Sequence, residues 1–474
     1  MTASRIGLFL GPLAFAITAL IAPPDGMSQE AWLVAGLVVW MAAWWMTEAL
    51  PLTATALLPF VVLPLSGVMT ARETAGAYYA PILFLLLGGA FLALAIERTG
   101  LHRRLSLAIL NTIGTSGGQG RLLLAFMISA AILSMLISNT STALIMMPMA
   151  LAVLSGGITA DSAPSTDGIS GALPMGIAFA ASIGGLGTIV GSPTNGIAVA
   201  LLDDMIGLQI TFAEWMLYGI PVVIIGVPLA AWLIAKVQRV ADHPFDVAAA
   251  RDAIDDASPW SSAEKRLVPI IAITFFLWMT QRWVAPYLPE NSWTDGTIAI
   301  LAAFALFILP DGSGRPLLIW KEADRAPWGV IMMFGGGLAL AAGMQSSGLA
   351  GWLGNALLPL EVVPLILIAV AIVGMVILVT EFASNVATAS AIIPVVASLA
   401  AALGLGEDAI LLAMPAALAA SWGFILPAGT GPNAIAWATG RLKIGRLVRA
   451  GILLDLAGIF LIVGMSFAIT RLIA

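Results

Sequence analysis

Two short runs of small polar residues interrupt long apolar segments of this chain. The stretch ISNTSTALIMMP (137–148) carries five consecutive polar residues, Ser138 to Thr142, and ASNVATASAIIP (383–394) resembles it closely. A polar group placed in hydrocarbon without a partner costs several kcal/mol. These two runs must therefore face water, a solute or protein partners rather than lipid.

The polar runs suit the binding of ions. If a helix begins near Thr140, its first N–H groups lack intrahelical acceptors and its end carries roughly half a positive charge. Such an end binds an anion without Lys or Arg. The helix that ends at the same tip offers free carbonyls, which with Asn and Ser oxygens are ligands for a hard cation such as Na⁺.

A simpler interpretation is that Ser, Thr and Asn only cap a helix, which they often do. Capping alone does not explain why each polar run is matched by a Gly- and Pro-containing break in a later apolar segment. These breaks are GSPTN (191–195) and GTGPN (429–433). Gly permits unusual backbone angles and Pro removes a hydrogen-bond donor, so both motifs predict interrupted helices.

The composition sets the protein class. The 474 residues are 60% hydrophobic and 10% charged, with a mean hydropathy of +1.02, whereas soluble proteins carry about 25% charged residues. The fold class is therefore an all-α polytopic membrane protein. Cysteine is absent, and His102 and His243 lie in polar segments, so we expect neither an enzyme nor an organic cofactor. The charges lie in loops, and we expect no nucleic-acid partner.

About eleven transmembrane helices and two re-entrant hairpins account for the apolar segments. Each hairpin, at 121–155 and 364–402, is interrupted by a polar triplet at mid-length. The first span is expected to be an uncleaved helix rather than a signal peptide. The spans lie near 6–22, 31–48, 51–67, 81–97, 173–200, 216–235, 267–286, 294–310, 327–345, 410–437 and 450–470.

The distribution of Lys and Arg supports this layout. With a cytoplasmic N-terminus, every basic residue except Arg72, Arg282 and Arg471 falls on the inner side, in agreement with the positive-inside rule. Treating either hairpin as a single crossing would destroy this asymmetry. The expected location is the inner (plasma) membrane, and 236–266 is predicted to be a cytoplasmic connector.

The two halves of the chain repeat one pattern. LLGGAFLALAIERTGL (86–101) resembles FGGGLALAAGMQSSGL (334–349), and the polar runs and the breaks follow in the same order. The predicted topology gives the halves opposite orientations, as in secondary transporters with inverted repeats. The predicted domains are N-terminal helices at 1–80, a first repeat at 81–235 with a broken helix at 173–200, and a second repeat at 267–474 with a broken helix at 410–437.

Three acidic residues, Glu48, Glu381 and Asp455, lie in or near the predicted spans. Intramembrane acids are functional by default, but none of the three is assigned a proton-carrying role. Glu48 stands at a helix end before Pro51 and is expected to be interfacial. Glu381 stands four residues before Asn385 and is expected to support the tip of the second hairpin. Asp455 follows Arg449 by about a turn and a half and is expected to extend towards that basic loop.

At these motifs the sequence resembles the divalent anion/sodium symporter family, the INDY-like dicarboxylate transporters. The resemblance extends over nearly the whole chain. It includes WWMTEALPLTATALLP (44–59), SNT (138–140), SNV (384–386) and SWGFILPAGTGPNAIAWA (421–438). It implies an elevator-type transporter with scaffold and transport domains, dimeric through its scaffold helices, which carries dicarboxylates together with Na⁺.

The resemblance also implies particular site residues. A first sodium site would use Ser134, Ser138, Asn139 and the backbone of Gly187. A second would use Thr380, Ala383, Asn385 and the backbone near Gly429. The substrate-binding set comprises Asn139, Thr140, Asn385, Val386, Thr430, Gly431, Ser192 and Pro193.

Two positions depart from the family pattern. Val386 stands where many members carry Thr, which removes a hydroxyl donor, and Gly431 stands where many carry Pro, which is expected to leave a roomier site. The expected function is Na⁺-coupled symport of a C4-type dicarboxylate such as succinate, malate or fumarate. The alternatives are Na⁺-independent exchange of organic anions and Na⁺-coupled transport of sulfate or another anion.

Overall fold

The computed structural model describes residues 3–113, 118–156, 166–243, 245–247 and 259–473. Within these ranges the chain is helical, with an isolated β-bridge between Pro310 and Pro316. Residues 244 and 248–258 of the predicted connector lie outside the described residues, as do 114–117 and 157–165 of the first predicted repeat.

The N-terminal part and the first half of the chain hold twelve described helices. They are α1 (Ala3–Leu20), α2 (Gln29–Thr47), α3 (Leu52–Thr55), α4 (Leu58–Leu65), α5 (Ala71–Ala77), α6 (Ile82–Thr99), α7 (Leu101–Ile113), α8 (Gln119–Ser134), α9 (Asn139–Gly156), α10 (Ile169–Gly184), α11 (Pro193–Ile206) and α12 (Phe212–Val237).

The second half continues with eleven further described helices. They are α13 (Ser262–Met279), α14 (Gln281–Val284), α15 (Asp295–Ile308), α16 (Trp320–Ala323), α17 (Trp328–Ser346), α18 (Leu349–Leu357), α19 (Leu365–Phe382), α20 (Asn385–Ala402), α21 (Ile410–Ala419), α22 (Gly431–Ala438) and α23 (Ile444–Ile473).

Ten of the described helices are long and apolar enough to cross a membrane. The number becomes eleven when Ser262–Met279 and Gln281–Tyr287, bent by 66° at their junction, count as one span. The chain is therefore a multi-pass membrane protein, and the approximate number of spans agrees with the sequence prediction.

The predicted span at 51–67 differs in the structure, which has the two short helices α3 and α4 there. Pro59, in the first turn of α4, explains the division, because it lacks the N–H that would donate back to α3 and continue the helical hydrogen-bond ladder. The segment therefore forms two helices, and each of them is too short to span a membrane.

Both predicted hairpin blocks form pairs of helices joined by a short connection. The first pair is α8 and α9, and the second is α19 and α20. Three of these four helices, α9, α19 and α20, are long and apolar enough to cross a membrane individually. Segment length therefore does not distinguish hairpins from spans, and the re-entrant prediction rests on the distribution of basic residues.

Both predicted broken helices are interrupted at the expected motifs. Two short 3₁₀ turns, Gly185–Gly187 and Ile189–Gly191, separate α10 from α11, and non-helical residues 420–430 separate α21 from α22. Every residue of α10 is buried, so the first broken helix lies at the centre of the protein rather than against lipid.

Candidate functional site

The two polar runs form the beginnings of helices α9 and α20. The Ser138 hydroxyl accepts a hydrogen bond from the N–H of Ser141 at 3.1 Å, and the Ser384 hydroxyl accepts one from the N–H of Ala387 at 3.2 Å. Each serine is therefore an N-cap, and the helix begins at the following asparagine, one residue from the predicted start near Thr140. Capping is present, so a functional role depends on what else these tips face.

Four helix N-termini surround one cavity of about 500 Å³. They belong to α9 and α20, which follow the polar runs, and to α11 and α22, which follow the two breaks. Pockets of this size are typical of small-molecule sites. All eight residues of the predicted substrate-binding set line the cavity: Asn139, Thr140, Ser192, Pro193, Asn385, Val386, Thr430 and Gly431.

The electrostatics of this cavity favour an anion. Each helix N-terminus contributes roughly half a positive charge through its unpaired N–H groups, so four of them supply about two positive charges. Among the described residues that line the cavity, Arg325 is the one Lys or Arg side chain. The arrangement is therefore balanced for an anion with two negative charges.

A cluster of oxygen atoms lies behind the tip of α9. The Ser134 hydroxyl is 2.7 Å from the side-chain Oδ1 of Asn139. The carbonyl oxygens of Ala181 and Gly191 lie 3.1 and 3.2 Å from that same end of the amide. Oxygens this close repel each other unless a donor or a cation lies among them. Two arrangements relieve this repulsion. The Asn139 amide can turn its nitrogen towards the oxygens and donate hydrogen bonds to them. Alternatively, Oδ1 can remain in the cluster if a Na⁺ ion binds among the oxygens.

A matching cluster lies behind the tip of α20. The Thr380 hydroxyl is 2.9 Å from Oδ1 of Asn385 and 2.7 Å from the carbonyl oxygen of Ala420, and Thr380 is fully buried. In each cluster a hydroxyl residue stands five positions before an asparagine whose other side faces the cavity. Sequence reasoning named Thr380 and Asn385 and missed the carbonyl of Ala420.

The remaining residues of the two predicted sodium sites do not all lie in the two oxygen clusters. Ser138 and Gly429 line the cavity, while Ala383 is buried in extended backbone beside the Ser384 cap. Gly187 packs against the Met135 side chain. The glycine that lies against the Asn139 amide is Gly185, where an added Cβ would come within 2.2 Å of Oδ1.

Two asparagines that the sequence analysis did not single out hold the breaks open. The Asn195 side chain donates to the carbonyls of Gly185 and Thr188, at 2.8 Å each. The Asn433 side chain donates to the carbonyl of Leu426 at 3.2 Å. Both are buried and occupy the last position of GSPTN and GTGPN. The sequence signal that could have identified them is this shared last position, because an interrupted helix leaves carbonyls unpaired and an asparagine at the end of the motif can donate to them.

The intramembrane acids are placed differently from the expectation. The two carboxylate oxygens of Glu381 accept hydrogen bonds from the N–H groups of Ile425 and Leu426 at 2.9 and 3.0 Å, so Glu381 supports the second break rather than the hairpin tip. Asp455 does not extend towards the basic loop. It is buried on α23 with its carboxyl beside the carboxyl of Glu381 and the backbone of Phe424, so the two intramembrane acids face each other at the second break.

Gly431 also differs from the expectation of a roomier site. A Cβ at this position would lie 2.4 Å from the hydroxyl oxygen and 3.3 Å from the Cβ of Thr140. The Thr140 side chain already occupies the space beside Gly431. The absence of a side chain at 431 therefore lets the start of α22 approach the tip of α9, and it does not enlarge the cavity at that point.

The opposite wall of the cavity is apolar and was not anticipated. It consists of one face of α6 and the beginning of α17. The α6 residues recur at intervals of three and four, which is the spacing of one helix face. The wall contains Leu86, Gly89, Ala90, Ala93, Leu94, Val330 and Ile331.

Comparison with known proteins places the chain among membrane transporters. The sequence model described as "Sodium:sulfate symporter transmembrane region" matches residues 3–473. A protein of Staphylococcus saprophyticus named "Sodium-dependent dicarboxylate transporter SdcS" is 38% identical over 470 residues, which cover 97% of this chain and 90% of that protein. The protein of the same name from Staphylococcus aureus strain MRSA252 is 37% identical and covers 100% of this chain and 92% of its own length.

A solved structure shares the fold. The YdaH transporter of Alcanivorax borkumensis, described as having an unusual topology, aligns with a TM-score of 0.57 over 100% of this chain and 98% of its own. The sequence identity is 15%, so this likeness concerns the fold alone.

Proposed function

The chain belongs to the sodium:sulfate symporter family, the divalent anion/sodium symporters, and on that premise we propose that it couples Na⁺ to the transport of a C4-type dicarboxylate. Succinate, malate and fumarate are the candidate substrates. The names of the Staphylococcus relatives, which cover nearly the full length of the chain, support both the sodium dependence and the dicarboxylate class.

The observation that carries this proposal is the convergence of four helix N-termini on one cavity that has almost no cationic side chains. A dicarboxylate carries two negative charges at neutral pH, which matches the roughly two positive charges of the four helix ends. Hydroxyl and amide groups of Thr140, Asn139, Asn385 and Thr430 are positioned to donate to its oxygens.

Coupling follows from the position of the oxygen clusters. Asn139 and Asn385 each line the cavity while their side-chain oxygens meet the clusters around Ser134 and Thr380. A Na⁺ bound in either cluster would orient the amide, with Oδ1 towards the ion and the nitrogen towards the cavity. The cation then lowers the cost of desolvating the anion, and the anion does the same for the cation.

The wider mechanism that we propose is alternating access by an elevator-type movement between inverted repeats. In this scheme the helices that carry the tips and breaks move as a transport domain against scaffold helices that form a homodimer. The protein resides in the plasma membrane with its N-terminus in the cytoplasm, which the distribution of basic residues supports.

The decisive experiment is uptake of labelled succinate into proteoliposomes with an inward Na⁺ gradient, and with K⁺ replacing Na⁺. Uptake that requires Na⁺ is expected. Asn139→Ala and Asn385→Ala should each abolish it while expression and thermal stability persist. Asn355→Ala, at an exposed position remote from the cavity, is the matched control and should transport normally. Normal uptake by both cavity variants would refute the assigned site.

A second candidate function is Na⁺-coupled transport of sulfate. The family description names sulfate, and sulfate carries the same double charge that the four helix ends balance. Competition distinguishes the two, since excess unlabelled sulfate should leave succinate uptake unchanged if the dicarboxylate is the substrate. Uptake without Na⁺ that depends on preloaded internal dicarboxylate would instead identify an exchanger.

A further inference from the structure

The cavity extends well beyond the polar tips along helix α6. Its lining on this helix runs from Leu86 to Glu97, which is three turns or about 16 Å. Leu86 and Gly89 lie beside the first break, where they approach Gly196 and Val190. Glu97 stands at the far end, so the α6 wall leads from the binding tips to a mouth.

Two opposite charges flank this mouth. Glu97 is half-buried, and Arg325, on the segment before α17, is exposed and lines the same cavity. Between them and the polar tips the wall is apolar. An anion that leaves the tips therefore meets no cationic side chain among the described residues of the cavity until it reaches Arg325.

The neighbouring charges are already neutralised by one another. Arg98 forms ion pairs with Asp311 and Glu322 and donates to the carbonyl of Leu317, and Arg315 pairs with Glu322 at 2.6 Å. Arg98 thus points away from the cavity although it adjoins Glu97. Within the described chain no carboxylate lies within ion-pair distance of Arg325, so its charge remains available to a solute.

We propose that Arg325 is a positioning residue that holds the departing or arriving dianion at the mouth, and that Glu97 opposes it. The inference rests on the proposed function and adds a second, weaker anion position to it. The apolar walls strengthen the field of each charge inside the cavity relative to bulk water. Arg325 therefore raises the affinity for substrate from the mouth side, and Glu97 lowers it.

The basic residues on this side also suit a purely topological role, because Lys and Arg are enriched in cytoplasmic loops. Lys321 provides the comparison, since it is exposed on the same segment four residues from Arg325 and does not line the cavity. A topological role predicts the same outcome for loss of either charge. A positioning role predicts an effect at Arg325 alone.

The test measures the half-saturating succinate concentration separately from each side of proteoliposomes at low and high ionic strength. From the mouth side, Arg325→Gln should raise it about two- to fivefold, the factor that one exposed charge pair supplies. Arg325→Lys should restore most of the affinity. Glu97→Gln should lower the half-saturating concentration, Lys321→Gln should leave it unchanged, and high salt should shrink every difference.

The opposite signs for Arg325→Gln and Glu97→Gln exclude a structural explanation, because misfolding would impair both. Unchanged half-saturation in Arg325→Gln, equal effects on both sides, or an equal effect of Lys321→Gln would each overturn the inference while the proposed function stands. Absence of succinate uptake by the unaltered protein would overturn the proposed function and this inference with it.

Discussion

The Thr380 hydroxyl lies 2.9 Å from the side-chain oxygen of Asn385, five residues later and across the connection between two helices. The Ser134 hydroxyl stands in the same relation to Asn139, at 2.7 Å. Both pairs join the end of one helix to the beginning of the next. The same hydroxyl–asparagine arrangement therefore occurs in both halves of the chain, and in each half the asparagine lies between a buried oxygen cluster and the cavity.

Thr380→Val is expected to weaken Na⁺ dependence more than substrate binding. Valine keeps the shape but removes the hydroxyl that lies within hydrogen-bond distance of both the Asn385 side-chain oxygen and the Ala420 carbonyl, and whose single proton serves one of them at a time. Leaving that buried acceptor unpaired costs about 1–3 kcal/mol, and the second cluster also loses a potential Na⁺ ligand. The measurement is a Na⁺ titration of uptake at saturating succinate.

Thr388→Val is the matched control for that titration. Thr388 is buried on the same helix as Asn385, and its hydroxyl has no hydrogen-bond partner among the described residues. Its replacement should leave the Na⁺ titration unchanged. An identical shift in both variants would show that burial of a hydroxyl, rather than the contact with Asn385, is responsible.

Gly431→Ala is expected to lower substrate affinity. The added Cβ would lie 2.4 Å from the Thr140 hydroxyl oxygen, so Thr140 must rotate or the start of α22 must move away from the tip of α9. Either change displaces a group that lines the cavity. The half-saturating concentration should rise, whereas Gly445→Ala, where nothing lies within 4 Å of the added carbon, should behave as the unaltered protein.

The sequence predicted the elements that local chemistry determines. A run of polar residues inside an apolar segment, or a Gly-Pro motif, interrupts a helix because of its own composition, and the starts of α9 and α20 follow from Ser138 and Ser384. The division of 51–67 was missed because its prolines were outweighed by mean hydropathy. Proline acts on individual hydrogen bonds, which an average over 17 residues does not register.

The sequence did not predict contacts between distant elements. The carbonyl of Ala420 beside Thr380, the apolar wall of α6 and the approach of Gly431 to Thr140 all join segments far apart in the chain. Backbone carbonyls carry no residue signature, and an apolar helix face is the same whether it meets lipid or a cavity. The direction of Asp455 was misjudged for this reason, since α23 packs that face against the second break.

Val386→Thr is expected to strengthen the binding of short dicarboxylates. Val386 lines the cavity at the start of α20, where a hydroxyl of the same shape would add a donor close to the helix N-terminus. One hydrogen bond to a charged group contributes about 1.5–3 kcal/mol. Competition of succinate and of longer dicarboxylates for uptake measures the change, and an unchanged or weaker affinity for succinate would contradict this account of position 386.

Glu381→Gln is expected to destabilise the second break. The carboxylate accepts one N–H from Ile425 and one from Leu426, and an amide has one acceptor oxygen, so its NH₂ group would face a backbone N–H. The cost is on the order of 1–3 kcal/mol and should appear as a lower melting temperature of the purified protein.

Asp455→Asn is the comparison for Glu381→Gln. Asp455 is buried beside the Glu381 carboxyl, so the amide removes a like-charged neighbour of Glu381 and can donate to it, while the two hydrogen bonds from Ile425 and Leu426 to Glu381 remain. Its melting temperature should equal or exceed that of the unaltered protein. If Glu381→Gln and Asp455→Asn were equally destabilised, loss of any buried carboxyl would account for the effect, and the two backbone hydrogen bonds would not be what holds the break in place.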